Sequence, residues 1–257
     1  MKRGQVSIFI IIGVIVIGII AFYFVSTGKA NIFVGEKTET NPTAFLYSCI
    51  DNKIRESINI LSSQGGYISN PLNKTFKFNE EEGFKDISYL CYTQNNYIPC
   101  VNQKPLLMRH LKKEIKNYIS EDMESCFNSL KMSFEKQNFD VDMKYNGFEV
   151  KLMPKKVIIE TDSELTLSKT GESSTKENFK IILPSRFYEL AEVVQEIVAQ
   201  EGEYCNFEYL GYMALHPEFN IEKFNAGDLI SIYTVGYKNT KEKFRFAVKS
   251  CVIPPGF

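Results

Sequence analysis

From Val6 to Val25 the chain carries no charged residue, and fifteen of these twenty positions are Val, Ile or Phe. As an α-helix, twenty residues rise about 30 Å, the thickness of bilayer hydrocarbon. A lone segment in lipid must satisfy its own backbone hydrogen bonds, which makes it helical despite its β-branched content. A buried core helix of this length would show a polar face, and none is present. Residues 1–27 are therefore expected to form one transmembrane helix, with the lipid bilayer as its partner. A cleaved secretory signal would have a shorter apolar stretch, about 7–15 residues.

The pattern beyond the span alternates between two periods. Residues 28–43 are polar, with Gly28, Gly35 and Pro42, and read as a stalk. From Ala44 to Ser63, Phe45, Cys49, Ile50, Ile54, Ile58 and Leu61 recur every three to four residues and predict a helix. Asn41 or Thr43 can cap its start, and Gln64-Gly65-Gly66 ends it. Tyr67 to Phe78 reads as extended, Glu80-Glu81-Glu82 as a solvated loop, and Cys91 to Cys100 as a clipped loop. Pro105 to Gln137 is helical, in one piece or two, with Ser120-Glu121-Asp122 able to cap a second piece. Its stripe is Leu107, Leu111, Ile115, Tyr118, Met123, Phe127, Leu130 and Phe134.

After Phe139 the period becomes two. Val141, Met143 and Tyr145 alternate, Asn146-Gly147 reads as a hairpin turn, and Phe148, Val150 and Leu152 alternate again. Val157–Leu167 and Phe179–Leu183 read as strands separated by a polar loop, Lys169–Glu177. Pro184-Ser185 opens an amphipathic helix carrying Phe187, Leu190, Ala191, Val194, Ile197 and Val198, which Gly202 ends. A short helix follows within Cys205–Leu215. Asp228–Tyr237 and Lys243–Ile253 form a last hairpin. The predicted class is α+β: a transmembrane helix, a helical part at 44–137, and a β-rich part with one helix at 138–257. The helices are expected to pack on antiparallel sheet.

Charge sets the orientation. Lys2 and Arg3 precede the span and only Lys29 follows it closely, so the N-terminus is expected in the cytoplasm and the rest outside the cell membrane. Over 257 residues the formal charge is -1, which argues against nucleic acid as a partner.

All six cysteines lie beyond the span. No pair forms C-x-x-C, and His110 and His216 are far apart, so no metal site is expected. An external location makes disulfides the expected state. Cys49 and Cys126 both fall on apolar helical stripes and would meet where those stripes pack. Cys91 and Cys100 bracket a short loop with Pro99. Cys205 is left to Cys251, tying the final strand to the third helix. Asn73-Lys74-Thr75 is an N-glycosylation sequon, with Asn73 as the acceptor.

Motifs of catalysis are absent, and neither cofactor nor catalytic residues are expected. Ser133-x-x-Lys136 and Lys169-Thr170-Gly171 imitate two boxes of serine acyltransferases, but the third box is missing between them. Glu160, Asp162 and Glu164 share one strand face, yet a calcium ion needs six to eight oxygens. Tyr89, Tyr92, Tyr97, Tyr204, Tyr209 and Tyr212 gather around cysteines and loops, a composition favoured at interfaces.

Two resemblances extend this picture. Lys2-Arg3-Gly4-Gln5-Val6-Ser7-Ile8 resembles the class III signal of archaeal type IV pilins and archaellins. The resemblance implies cleavage between Gly4 and Gln5, although Phe9 stands where many pilins have Glu. Arg3-Gly4-Gln5-Val6, Ser48-Cys49-Ile50, Gln64-Gly65-Gly66-Tyr67, Cys126, and Leu183-Pro184 leading into Ala191-Glu192 resemble an uncharacterised single-pass surface protein family of small-genome, DPANN-type archaea. That likeness implies a surface location and no activity. The expectation is a membrane-anchored, non-enzymatic surface protein with a structural or interaction role, binding a protein partner or itself. The alternatives are a pilin-like filament subunit and an extracellular hydrolase without a recognisable motif.

Overall fold

A computed structural model describes residues 41–71, 74–78 and 82–252. The expected span at Val6–Val25, the processing site at Gly4 and Gln5, the stalk up to Thr40 and the acceptor Asn73 lie outside the described residues. Among the described residues, no helix is long and apolar enough to cross a membrane. Asn41–Phe257 forms one compact unit, so 44–137 and 138–257 are parts of one fold.

Three helices follow the apolar stripes. Helix α1 spans Pro42–Ser63, with Asn41 as N-cap: its side chain accepts from the Thr43 N–H at 3.0 Å, and Pro42 occupies the first turn. Its buried face is Leu46, Ile50, Ile54, Ile58 and Leu61. Phe45 and Cys49, expected on the stripe, sit at its flank, where Cys49 is exposed. Helix α2, Leu107–Lys136, is one continuous piece of 30 residues. Ser120 does not cap a second segment; its hydroxyl donates back to the Lys116 carbonyl at 2.6 Å, within the helix. Ile119 rather than Tyr118 is the buried residue in that turn. α1 and α2 run antiparallel, since Cys49 is bonded to Cys126 while Gly66, just past the end of α1, lies against Leu107 and Leu111.

The main sheet beneath α2 corrects two expectations. Strand β5, Asp140–Met153, runs unbroken through Asn146-Gly147, and β6, Lys156–Lys169, pairs with it antiparallel. Tyr145 pairs with Ser163 and Gly147 with Asp162, leaving Asn146 as the extra residue of a bulge. Gly147 accommodates it with φ of 113°. The sequence already carried this phase slip. Apolar residues at 141, 143 and 145 and then at 148, 150 and 152 stay on one face only if one residue is inserted. The second correction is the polar loop, which is strand β7, Glu172–Glu177, turned back on β6 through Thr170 and Gly171 with φ of 53° and 89°. Every residue of β7 is exposed, so no hydrophobic alternation marked it. Strand β8, Lys180–Pro184, continues on the same edge of β6.

A second sheet corrects the expectation of purely antiparallel pairing. Its order is β4-β3-β11-β10-β9, where β3 is Tyr89–Tyr92, β4 Val101–Asn102, β9 Phe219–Gly227, β10 Ile230–Tyr237 and β11 Lys243–Lys249. β3 pairs parallel with β11, so the sheet is mixed. The central strands β10 and β11 are buried on both faces, which is why they read as apolar runs. One face meets the helices. The other holds a small cluster of Ile87, Tyr89, Ile232 and Ala247 under a ribbon of β1, Thr75–Lys77, and β2, Phe84–Asp86. β9 was missed as a strand because only Phe219 and Ile221 on it are buried.

Helix α3, Phe187–Tyr204, packs across both sheets. Gly202 does not end it; the left-handed cap is Cys205, with φ of 54°. Gly202 is small for another reason, since a Cβ there would stand 3.2 Å from the Cys100 carbonyl oxygen. A short helix α4, Tyr209–Leu215, follows on the surface.

Candidate functional site

The three disulfides join Cys49 to Cys126, Cys91 to Cys100 and Cys205 to Cys251, with Cα separations of 5.9, 5.3 and 5.2 Å. These separations lie within the range of ordinary bridges. Two of the bridges meet at one end of the unit. Gly202 brings α3 against the Cys91–Cys100 loop, the next turn of α3 reaches Cys205, and Cys205 is bonded to Cys251. The following residue, Val252, donates its N–H to the Asn96 carbonyl at 2.8 Å. The loop, the end of α3 and the end of the described chain are thereby sewn together. On this frame Tyr97, Ile98, Val101, Tyr204 and Val252 expose large apolar side chains, Tyr97 at 68%. α1 leads away from Asn41 for 22 residues, about 33 Å, before the chain enters this region.

Behind that surface lies a buried polar network. Glu201 is fully buried, and its carboxylate accepts from the Tyr233 hydroxyl, from Lys223 Nζ at 3.1 Å and from the Ser250 hydroxyl at 2.9 Å. The Ser250 hydroxyl also lies 2.6 Å from the Cys205 carbonyl. Burial first, and then the Glu201 charge, push the Tyr233 hydroxyl far above the ordinary tyrosine range, so it stays a donor. The network ties α3 to β9, β10 and the Cys205–Cys251 bridge. All its groups are partnered within the protein, which suits a structural role. The sequence held a signal for it: residue 201 continues the buried series Val194, Ile197, Val198, and a carboxylate on such a stripe needs partners.

Three concavities open on the described surface. A cleft of about 300 Å³ between α1, α3 and the β10–β11 turn is floored by Ile58, Phe187 and Leu190. Its one inward carboxylate, Glu242, is occupied: it accepts from the Ser185 hydroxyl and the Arg186 N–H, both at 2.6 Å, at the start of α3. A groove of about 720 Å³ on the β5–β6 side holds Glu149, Glu160, Lys116, Lys151 and Lys180. These charges pair with one another: Lys116 with Glu149 at 2.7 Å, and both Lys151 and Lys180 with Glu160. A third, about 530 Å³, opens over Lys223 and Ser250 of the buried network. None sets a nucleophile beside a base.

The remaining sequence features fall as follows. Glu160 and Glu164 on β6 are paired with lysines, Glu164 with Lys144 at 3.1 Å, and Asp162 is exposed beside Asn146. Among the described residues no cluster of metal-ligating side chains occurs. Lys169 does approach the end of α2, donating from Nζ to the Gln137 carbonyl at 2.7 Å, but no hydrogen bond joins it to Ser133 or Lys136. Of the tyrosines, Tyr89 is buried in the small cluster, Tyr92 stacks edge-on against it, and Tyr97 and Tyr204 are exposed.

His110 is half-buried on α2, its ring tilted against Tyr67 with centroids 4.7 Å apart, and its Nε2 has no hydrogen-bond partner. Burial, then the charge of Lys104, hold its imidazole below the ordinary histidine value; Glu114 opposes them and Lys113 adds to them. The unfolded chain therefore takes up this proton first, near pH 6.5. The stability linked to neutral His110 is fully present above that pH and is lost as pH falls through the lower folded value. Urea midpoints should drop between pH 7 and pH 5, and His110→Gln should flatten that slope. Equal slopes in both proteins would remove His110 from the account.

The chain matches no protein-family profile, no curated protein and no solved structure.

Proposed function

We propose that this chain is a membrane-anchored cell-surface protein whose folded unit works by binding rather than by catalysis. The anchor is the uncharged run Val6–Val25, and the orientation follows from Lys2 and Arg3. The resemblance to surface proteins of small-genome archaea fits the same reading. The observation that carries it is the disulfide-clamped surface of Tyr97, Ile98, Val101, Tyr204 and Val252. Large apolar side chains in water are tolerated singly, but a group held rigid by two crosslinks is pre-organised for a partner. Three bridges fit an oxidising exterior.

A photo-reactive phenylalanine analogue in place of Tyr97, illuminated on intact cells, should give a discrete higher-mass adduct. The same group at the exposed Ser173 on β7 should give none. Protease added to intact cells should also remove the folded unit. Full protection until lysis, or identical labelling from both positions, would defeat the reading.

A further inference from the structure

Helix α4 is an anomaly of burial. Its sequence, Tyr-Leu-Gly-Tyr-Met-Ala-Leu, is apolar throughout, and such a helix normally lies inside a protein. Here none of its residues is buried, and Leu210 and Leu215 are 61% and 81% exposed. Carboxylates surround it. Glu208 is the N-cap residue of α4, and Glu218 lies 4.0 Å from His216, whose ring stacks on Tyr212 at 4.4 Å. After burial, the charges of Glu196, Glu218 and Glu192 hold the Tyr212 hydroxyl above its ordinary range. Glu203 and Glu208 are exposed at the approach to the helix. Among the described residues, Glu192, Glu196, Glu203 and Glu208 form no ion pair with a lysine or arginine.

The complement is on the same chain. Arg109, Lys112 and Lys113 are exposed on the first half of α2, spaced three and four residues apart on one face, with exposed Leu106 leading into them. Among the described residues, none of these three cations is ion-paired. Like charges at this spacing repel. With a formal charge of -1 overall, the chain is not acidic or basic in excess.

We propose that the α4 surface docks a second copy of this chain, which presents Leu106, Arg109, Lys112 and Lys113 of α2 to Leu210, Leu215 and the surrounding carboxylates. The two surfaces differ, so the contact is head-to-tail, and repetition builds an open row of copies rather than a closed dimer. The proposal goes beyond the binding reading and concerns a different surface from that of Tyr97.

The test uses the full chain. Isotopically light and heavy copies are mixed at low salt, and carboxylates are coupled to lysines with a zero-length carbodiimide. Mixed-isotope peptides joining Glu196, Glu203 or Glu208 to Lys112 or Lys113 are expected, at least tenfold fewer in about 0.5 M salt, where charges are screened within a few ångströms. In sedimentation at low salt, Lys112→Glu/Lys113→Glu and Glu203→Lys/Glu208→Lys should each associate less than the natural chain, and the two variants mixed should recover association. Misfolding would not give that recovery. Only single-isotope crosslinks in the natural chain, or no recovery on mixing, would overturn the proposal. If Tyr97 adducts form on cells while the natural chain gives only single-isotope crosslinks, this proposal falls and the binding reading stands.

Discussion

Replacing Glu201 by alanine should destabilise the folded unit by about 3–5 kcal/mol, the usual cost of removing one partner from a buried ion pair. The carboxylate is fully buried, and three donors converge on it from Tyr233, Lys223 and Ser250. Alanine leaves the Tyr233 hydroxyl with no acceptor in a place too dry for water to serve easily. Lys223 suffers less, because its side chain keeps 16% exposure and can turn toward solvent. Glutamine retains oxygen for Tyr233 but loses the charge opposite Lys223, so Glu201→Gln should fall between alanine and the natural chain. Pairing Glu201→Met with Lys223→Met should recover part of the loss, since no unpaired charge then remains. Urea unfolding can be followed by tyrosine emission, as the chain has 14 Tyr and no Trp. A Glu201→Ala midpoint within about 1 kcal/mol of the natural protein would show that the network does not act as argued.

The parts of the fold that could be read in advance are those whose burial repeats at a fixed period. α1, α2 and α3 each show an apolar residue every three or four positions, because one face of each meets the core. β6 and β8 could be read for the same reason, and β10 and β11 as apolar runs buried on both faces. β7 could not, since its six residues face water on both sides and are held by backbone pairing with β6 and by contacts such as Thr166 to Thr175 at 2.9 Å. The parallel pairing of β3 with β11 was also hidden. It joins strands far apart in sequence, and which edges meet depends on how α1 and α3 bring them together. At Asn146-Gly147 the expected hairpin turn is a bulge inside β5, because a bulge and a turn draw on the same glycine.

The candidate surface divides in the same way. Tyr97 and Tyr204 stood out because they flank cysteines, and that placement does expose them on a crosslinked frame. The α4 surface did not stand out, because apolar sequence predicts burial and α4 is the exception. Its acidic rim is assembled from α3, the segment before α4 and the start of β9. No single window of sequence shows these together.

Removing the disulfides one at a time should separate their roles. In the chain-entropy description a crosslink stabilises by restricting the unfolded chain, more so for longer loops. The bridges close 77, 46 and 9 residues for Cys49–Cys126, Cys205–Cys251 and Cys91–Cys100. Paired serine substitutions should therefore cost about 4.5, 4 and 2.5 kcal/mol in that order. Packing narrows the spread, because Cys91 and Cys100 are both buried in the core and serine there also buries two hydroxyls. Cys126 is buried, but Cys49 is exposed at the flank of α1, so serine there leaves no closed cavity. For Cys205–Cys251 there is an added loss, because freeing Cys251 also loosens Ser250 from Glu201. That coupling predicts non-additivity: Glu201→Ala should cost less in a chain already lacking Cys205–Cys251 than in the natural one. The smallest chain-entropy loss, at Cys91–Cys100, should bring the largest loss in binding, since that bridge fixes the loop carrying Tyr97 and Ile98. Unfolding midpoints of the three variants, set beside their Tyr97 adduct yields on cells, test both halves. A chain without Cys91–Cys100 that keeps its full adduct yield would show that the clamp does not organise the binding surface.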